Sequence, residues 1–226
     1  MEILAWRRVC QSWRSHPIVN LQSFFDHIYI LNLDRRPDRW SMIQTQLEQA
    51  RIKKAVRFSA IDKKPGWVGC FESHLVMLQY ALAANAKNVL VLEDDATFYA
   101  DWMGIWQEGI KQVEADWDML YLGYNLDPEN ELHPELVASH LLRLNSVLTT
   151  HAYAVNGKYL ADLVAYAESQ IDSGLPIDVV FSKRLRHINA FGLYPMLFYQ
   201  ATGMSDILGR ECVYHLRRTV EQALKA

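Results

Sequence analysis

The chain has 226 residues, a formal net charge of -3, half of its residues hydrophobic and 12% aromatic. That length and composition suit one folded α/β domain rather than a disordered chain. The near-neutral charge offers no global attraction to nucleic acid, so no nucleic-acid partner is expected. Three cysteines, Cys10, Cys70 and Cys212, form no disulfide framework and no CxxC pair. They point to a reducing, cytoplasmic compartment. No apolar run approaches the ~20 residues of a membrane span, and Arg7 and Arg8 interrupt the only stretch that resembles a leader.

Residues 1–20 read as a basic amphipathic helix, with Ile3, Leu4, Trp6, Val9 and Trp13 set against Arg7, Arg8 and Arg14. It either packs on the domain or gives a peripheral contact at the inner face of a membrane. Residues 21–226 form the main domain. HIYILNL (27–33) reads as a buried strand. The charged loop Asp34-Arg35-Arg36-Pro37-Asp38 follows, and then a helix with Asp38 as N-cap. Val56–Phe58 is a second strand, and residues 69–86 are helical. NVLVL (88–92) is the clearest strand, and a helix is expected from the acids after it to about residue 114. DMLYL (118–122) is another strand, and 125–140 an irregular excursion. Residues 148–155 are a strand; 158–168 and 177–185 are helices. Phe191–Phe198 is a last, irregular strand, and the tail from Arg210 is helical. Strands alternating with helices predict an α/β/α sandwich around a mainly parallel sheet, in a single domain.

Five segments carry chemistry. Glu93-Asp94-Asp95 stands at the carboxyl end of an apolar strand, where open α/β sheets bind ligands. Three adjacent carboxylates repel one another unless a cation or hydrogen-bond donors offset them. Hard cations such as Mn²⁺ or Mg²⁺ favour such oxygen ligands and bridge pyrophosphates. Arg35, Arg36 and Arg39, after the first strand, suit forked binding of phosphate, and Asn32 or Asp34 suits a ribose or base edge. Gly69-Cys70-Phe71-Glu72-Ser73-His74 opens a helix, where glycine permits close backbone approach and the N-terminus favours anions. Asp178, near the start of its helix, is either a stabilising first-turn acid or a general base. Ser205 and Asp206 occupy a polar loop able to close over a metal or phosphate.

These pieces, in this order, resemble glycosyltransferase family 25. That family includes bacterial lipopolysaccharide and lipooligosaccharide glycosyltransferases and the collagen galactosyltransferases. IYILNLDRRPDRW, GCFESH, VLVLEDDATF, WDMLYLGYN, HAYAVNGKYLADLV, LPIDVVFSKRL and YPMLFYQATGMSDI carry the resemblance, across residues 28–207. It implies a GT-A-like fold and a UDP-hexose donor, galactose or glucose. It also implies a glycan or glycolipid acceptor ahead of a protein one, and an Mn²⁺ or Mg²⁺ ion. In its light Glu93, Asp95 and Asp206 are metal-side residues. Asn32, Arg35, Arg36, Arg39, Ser73, His74 and Ser205 are donor-side residues. Asp178 is the base of an inverting transfer, with Asp94 or Asp206 able to exchange roles with it. Two alternatives stand beside this reading: another metal-dependent nucleotide-using transferase, and a degenerate, non-catalytic glycan-binding protein in which Trp67 or Trp102 matters more than the acids.

Overall fold

A computed structural model of the chain describes residues 19–126, 133–214, 220–222 and 224. The basic helix expected over residues 1–20 lies outside them, apart from its last two positions. In chain order the elements are α1 (Leu21–Phe24), β1 (His27–Asn32), α2 (Pro37–Gln49), β2 (Ala55–Ser59), α3 (Gly66–Ala83), β3 (Asn88–Glu93), β4 (Ala96–Phe98), α4 (Trp102–Gly109), a 3-10 turn (Ile110–Gln112), β5 (Met119–Leu126), β6 (Glu135–Ala138), β7 (Leu141–Arg143), β8 (Val147–Asn156), α5 (Gly157–Ser169), α6 (Ile177–Leu185), β9 (Ala190–Leu193), β10 (Phe198–Gln200), β11 (Gly203–Met204) and β12 (Glu211–Cys212).

Eight strands form one sheet in the order β2-β1-β3-β8-β5-β9-β7-β6. Six of them run the same way, and β8 and β7 run against them. β1 and β3 are nearly continuous apolar runs because helices cover both sheet faces. Their side chains alternate between two cores, as a two-residue period requires. Tyr29, Leu31, Val89 and Val91 join α3, α5 and α6 on one face. Ile28, Ile30, Leu90 and Leu92 join α1, α2 and α4 on the other. Gly157 opens α5 hard against the turn before β3, and a Cβ there would stand 2.1 Å from the Ala86 carbonyl oxygen.

Several local expectations change. α2 starts at Pro37, with Arg36 rather than Asp38 as N-cap, because proline is pre-set for the first helical position. The acids after β3 turn into β4, not a helix, since Ala96–Phe98 pairs with β10 more than a hundred residues away. The excursion after residue 125 contains the β6–β7 hairpin, which extends the sheet edge. The single strand expected over 191–198 is two, β9 and β10, separated around Tyr194-Pro195, where proline offers no ladder N–H. Glu211–Cys212 is a strand paired with β11 rather than the start of a tail helix. No described helix is long and apolar enough to cross a membrane.

Candidate functional site

β1 and β3 lie side by side and parallel, with Leu31 opposite Glu93. Asn32 and the acids therefore emerge together at the carboxyl ends of these strands. β8 is antiparallel to β3, with Leu92 opposite Ala152, so its early residues Thr149 and Thr150 reach the same end. A cleft opens there. Leu33, Cys70, Glu93, Asp95, Gln200 and Tyr214 are among its walls.

The acids are held in three different ways. Asp94 accepts from the Asn32 amide at 2.7 Å and from Arg39 at 3.0 Å. Burial pushes its carboxyl up, against the pull of those two donors. Glu93 accepts from the Thr150 hydroxyl at 2.8 Å and faces His74 Nε2 at 3.4 Å. Burial acts to raise it, yet the His74 ring and the Thr150 hydroxyl outweigh burial and hold it below the usual range. Asp95 is 8% exposed. One of its oxygens lies 3.1 Å from Arg39, and the other, Oδ1, has no hydrogen-bond partner. Burial first, and Glu93's charge second, push Asp95 up to about 7. The acidic cluster is thus short of positive charge at Asp95.

The arginines are engaged as well. Arg39 donates to Asp94 and Asp95 and, through its other terminal nitrogen, to the Met204 carbonyl at 2.8 Å. Arg35 bonds Asp62 at 2.6 Å and Asp206 at 2.5 Å, while Arg36 bonds Asp38 at 2.8 Å and also Asp206. Burial acts to raise Asp206, but these two guanidinium groups hold it low. Asp206 therefore sits on Arg35 and Arg36, and Arg39 is the residue that reaches the Asp94–Asp95 pair. Asn32 is fully engaged: its amide also donates to the Arg36 carbonyl and its oxygen accepts from Arg57 at 2.8 Å. Asp34 is held by Arg57 and Ser59.

Ser73 and Ser205 line the cleft but have local duties. Ser73 donates to the Gly69 carbonyl at 2.6 Å and accepts from the Ile61 N–H at 2.8 Å. That tie fastens the loop after β2 to α3. It is close enough that a Cβ on Gly69 would stand 2.3 Å from the Ile61 carbonyl oxygen. Close backbone approach was expected at Gly69; the backbone that approaches is the chain's own. Ser205 Oγ accepts from the Leu208 N–H at 3.1 Å. His74, fully buried, meets the Tyr153 hydroxyl through Nδ1 at 3.0 Å.

Asp178 is not among the cleft-lining residues. Its carboxylate accepts from the Thr149 N–H at 3.2 Å and the Val179 N–H at 2.9 Å. Burial raises it and Glu93 adds repulsion, so the two acids sense each other. Thr149 has φ of 71°, a left-handed conformation that a β-branched residue adopts only when its surroundings impose it.

Thr149, Thr150 and Tyr153 have no site role in the sequence reading, and Cys70 and Gln200 stand there only inside longer segments. The first two were legible as a polar interruption, Thr149-Thr150-His151, within an otherwise apolar strand. Gln200 Oε1 is buried without a partner on the cleft wall, and only the β4–β10 pairing places it there.

Comparison with known proteins gives this site a lineage. "Probable inactive glycosyltransferase 25 family member 3" of Bos taurus is 28% identical over 188 residues, covering 68% of this chain and 31% of that protein. "Inactive glycosyltransferase 25 family member 3" of Homo sapiens is 30% identical over 138 residues, covering 47% and 23%. "Procollagen galactosyltransferase 2" of Mus musculus is 26% identical over 223 residues, covering 77% and 35%. The chain thus spans roughly a third or less of these relatives' length. The model described as "Glycosyltransferase family 25 (LPS biosynthesis protein)" matches residues 64–181, from the loop before α3 to the middle of α6, and so includes the three acids and Asp178. With more than half of its residues inside that match, the chain belongs to glycosyltransferase family 25.

Proposed function

We propose that this chain transfers a hexose from a UDP-sugar to a hydroxyl of a glycan or glycolipid acceptor, assisted by Mn²⁺ or Mg²⁺. The observation that carries the reading is Asp95 Oδ1, a buried carboxylate oxygen without a partner beside a second acid, on the wall of the cleft. An all-oxygen donor set of this kind fits a hard cation, with Asp95 and Glu93 as the residues that would hold it. When bound, the cation would supply positive charge to the departing diphosphate.

The chain's own residues do the rest. Arg35 and Arg39 line the cleft and Arg36 stands beside them, so three guanidinium groups are within reach of a diphosphate. The bond from the sugar's anomeric carbon to the UDP oxygen breaks as the acceptor oxygen bonds to that carbon. The acceptor's proton needs a base on the opposite face. Asp178 suits that role: two peptide N–H groups fix its carboxylate, and burial makes it a stronger base than an exposed aspartate. Kinship with a procollagen galactosyltransferase favours galactose as the sugar.

A second reading has an observation of its own, since two relatives bear names that call them inactive or probably inactive. It makes the chain a non-catalytic member that binds glycan. Trp102, one of its candidate sugar-stacking residues, packs on Phe98. One experiment separates the two. The full chain is incubated with individual UDP-hexoses, with Mn²⁺ or with chelator, and released UDP is measured. Metal-dependent release from one donor, lost in Asp95→Asn, supports transfer. No release and no donor binding by the folded chain overturns it.

A further inference from the structure

Cys70 and His74 stand four residues apart on α3, which puts both side chains on one face of the helix. That face meets the end of β3. There Cys70 Sγ, His74 Nε2 and a Glu93 carboxylate oxygen all lie within 4.8 Å of one another. His74 is 0% exposed, and its Nε2 is aimed at Glu93 from 3.4 Å without hydrogen-bond geometry. A fully buried ring nitrogen that has a charge contact with a carboxylate but no hydrogen bond is uncommon in a folded chain and calls for a cause.

The surroundings have the form that cation ligands require. A ligating histidine usually gives its other ring N–H to an oxygen, which fixes the tautomer and turns the free nitrogen toward the ion. His74 Nδ1 has such a partner in the Tyr153 hydroxyl at 3.0 Å, and Glu93 is held by the Thr150 hydroxyl at 2.8 Å. Cys70 lines the cleft and is partly exposed, so an ion has a route in. We propose that Cys70, His74 and Glu93 form a second cation site that takes Zn²⁺ and shares Glu93 with the hard-cation site, with one coordination position left open to the cleft.

The ligand chemistry separates this site from the hard-cation site. Sulfur and imidazole select a thiophilic ion, whereas Mn²⁺ and Mg²⁺ favour carboxylate and phosphate oxygen. Three protein ligands and an open fourth position are the arrangement of zinc sites that also bind water or a substrate atom. Binding of Zn²⁺ stands on geometry alone. Its consequence, that zinc withdraws Glu93 from the hard cation and slows transfer, rests on the transferase reading.

The test uses Co²⁺, which replaces Zn²⁺ in such sites and reports a thiolate ligand by its charge-transfer absorption. The full chain, freed of metal with chelator, is titrated with Co²⁺ and then with Zn²⁺. One Co²⁺ per chain, with thiolate charge-transfer and tetrahedral absorption that Zn²⁺ bleaches, is the expected result. Cys70→Ser loses the charge-transfer band, whereas Cys10→Ser and Cys212→Ser keep it. His74→Gln loses the tetrahedral intensity, and circular dichroism confirms that each variant is folded. Asp95→Asn keeps the band while losing metal-dependent UDP release, so failure of the zinc site and failure of the donor reading give different results. Absence of the band in the folded chain, its persistence in Cys70→Ser or its loss in Asp95→Asn would each overturn the assignment.

Discussion

Replacing Asp95 with asparagine should make the metal-free protein more stable. Asp95 is 8% exposed and is pushed from the ordinary 3.8 to about 7, first by burial and then by Glu93. The folded state therefore holds the Asp95 proton more tightly than the unfolded state does. Stability falls as pH rises through this window, and the penalty is complete above about pH 7. The gap corresponds to about 4 kcal/mol at neutral pH. Asparagine removes the charge and keeps the shape. Its amide enters a buried site with few acceptors and leaves Arg39 with Asp94 alone, which takes back about 1–3 kcal/mol. A net gain of about 2 kcal/mol raises the melting temperature by roughly 4–8 °C in a chain of this size. Differential scanning calorimetry in chelator at pH 7.5 measures it. Adding Mn²⁺ should then raise the wild-type melting temperature in proportion to occupancy and leave the variant unmoved. An unchanged or lower melting temperature for the variant in chelator would refute the charge argument. An Mn²⁺ shift that survives in the variant would refute the place of Asp95 in the cation site.

Burial lowers His151 to about 4 from 6.5, so its contribution is whole above pH 6.5 and is lost as pH falls toward 4. Urea midpoints should show about 2 kcal/mol lost between pH 7 and pH 5, a loss that His151→Gln removes. Gly157→Ala places a Cβ 2.1 Å from the Ala86 carbonyl oxygen and should cost about 1–3 kcal/mol in chemical denaturation. Asp178→Asn should lower kcat by roughly 10²–10⁴-fold and leave UDP affinity in calorimetry unchanged, since the carboxylate lies apart from the cleft wall. A variant that weakens UDP binding instead would move Asp178 out of the base role.

β1 and β3 were legible because strands covered on both faces must be apolar along their whole length, as Ile28–Leu31 and Val89–Leu92 are. The acids were legible for the converse reason, since three charges at the end of such a run contradict it. What stayed hidden depends on pairing between distant residues. Nothing in Ala96–Phe98 says strand until Phe198–Gln200 lies beside it. Likewise Asp206 reads as a metal-side acid in sequence, and only the folded chain shows Arg35 and Arg36 closing on it. The Cys70–His74 spacing is plain in the sequence, but its partner Glu93 lies nineteen residues beyond His74, where it reads as part of the acidic cluster.

On the transferase reading, the arginines give a reason for donor and cation to bind as partners. In this state every guanidinium near the cleft already has carboxylate company: Arg39 on Asp94 and Asp95, and Arg35 and Arg36 on Asp206. A diphosphate that recruits Arg39 strips positive charge from an acidic cluster already short of it, and Asp95 has an unpartnered oxygen even before the exchange. The exchange is favourable only when another positive charge reaches the acids as Arg39 leaves them. A cation arriving alone faces the opposite difficulty, because Arg39 stands where its charge would be least welcome. Each ligand thus removes the obstacle to the other, and linkage requires the two enhancements to be equal. Arg39 also holds the Met204 carbonyl, so a diphosphate that drew it away would cost the β11–β12 hairpin that hydrogen bond. On the transferase reading, the unmet charge at Asp95 lets each ligand bind more tightly once the other has freed or replaced Arg39.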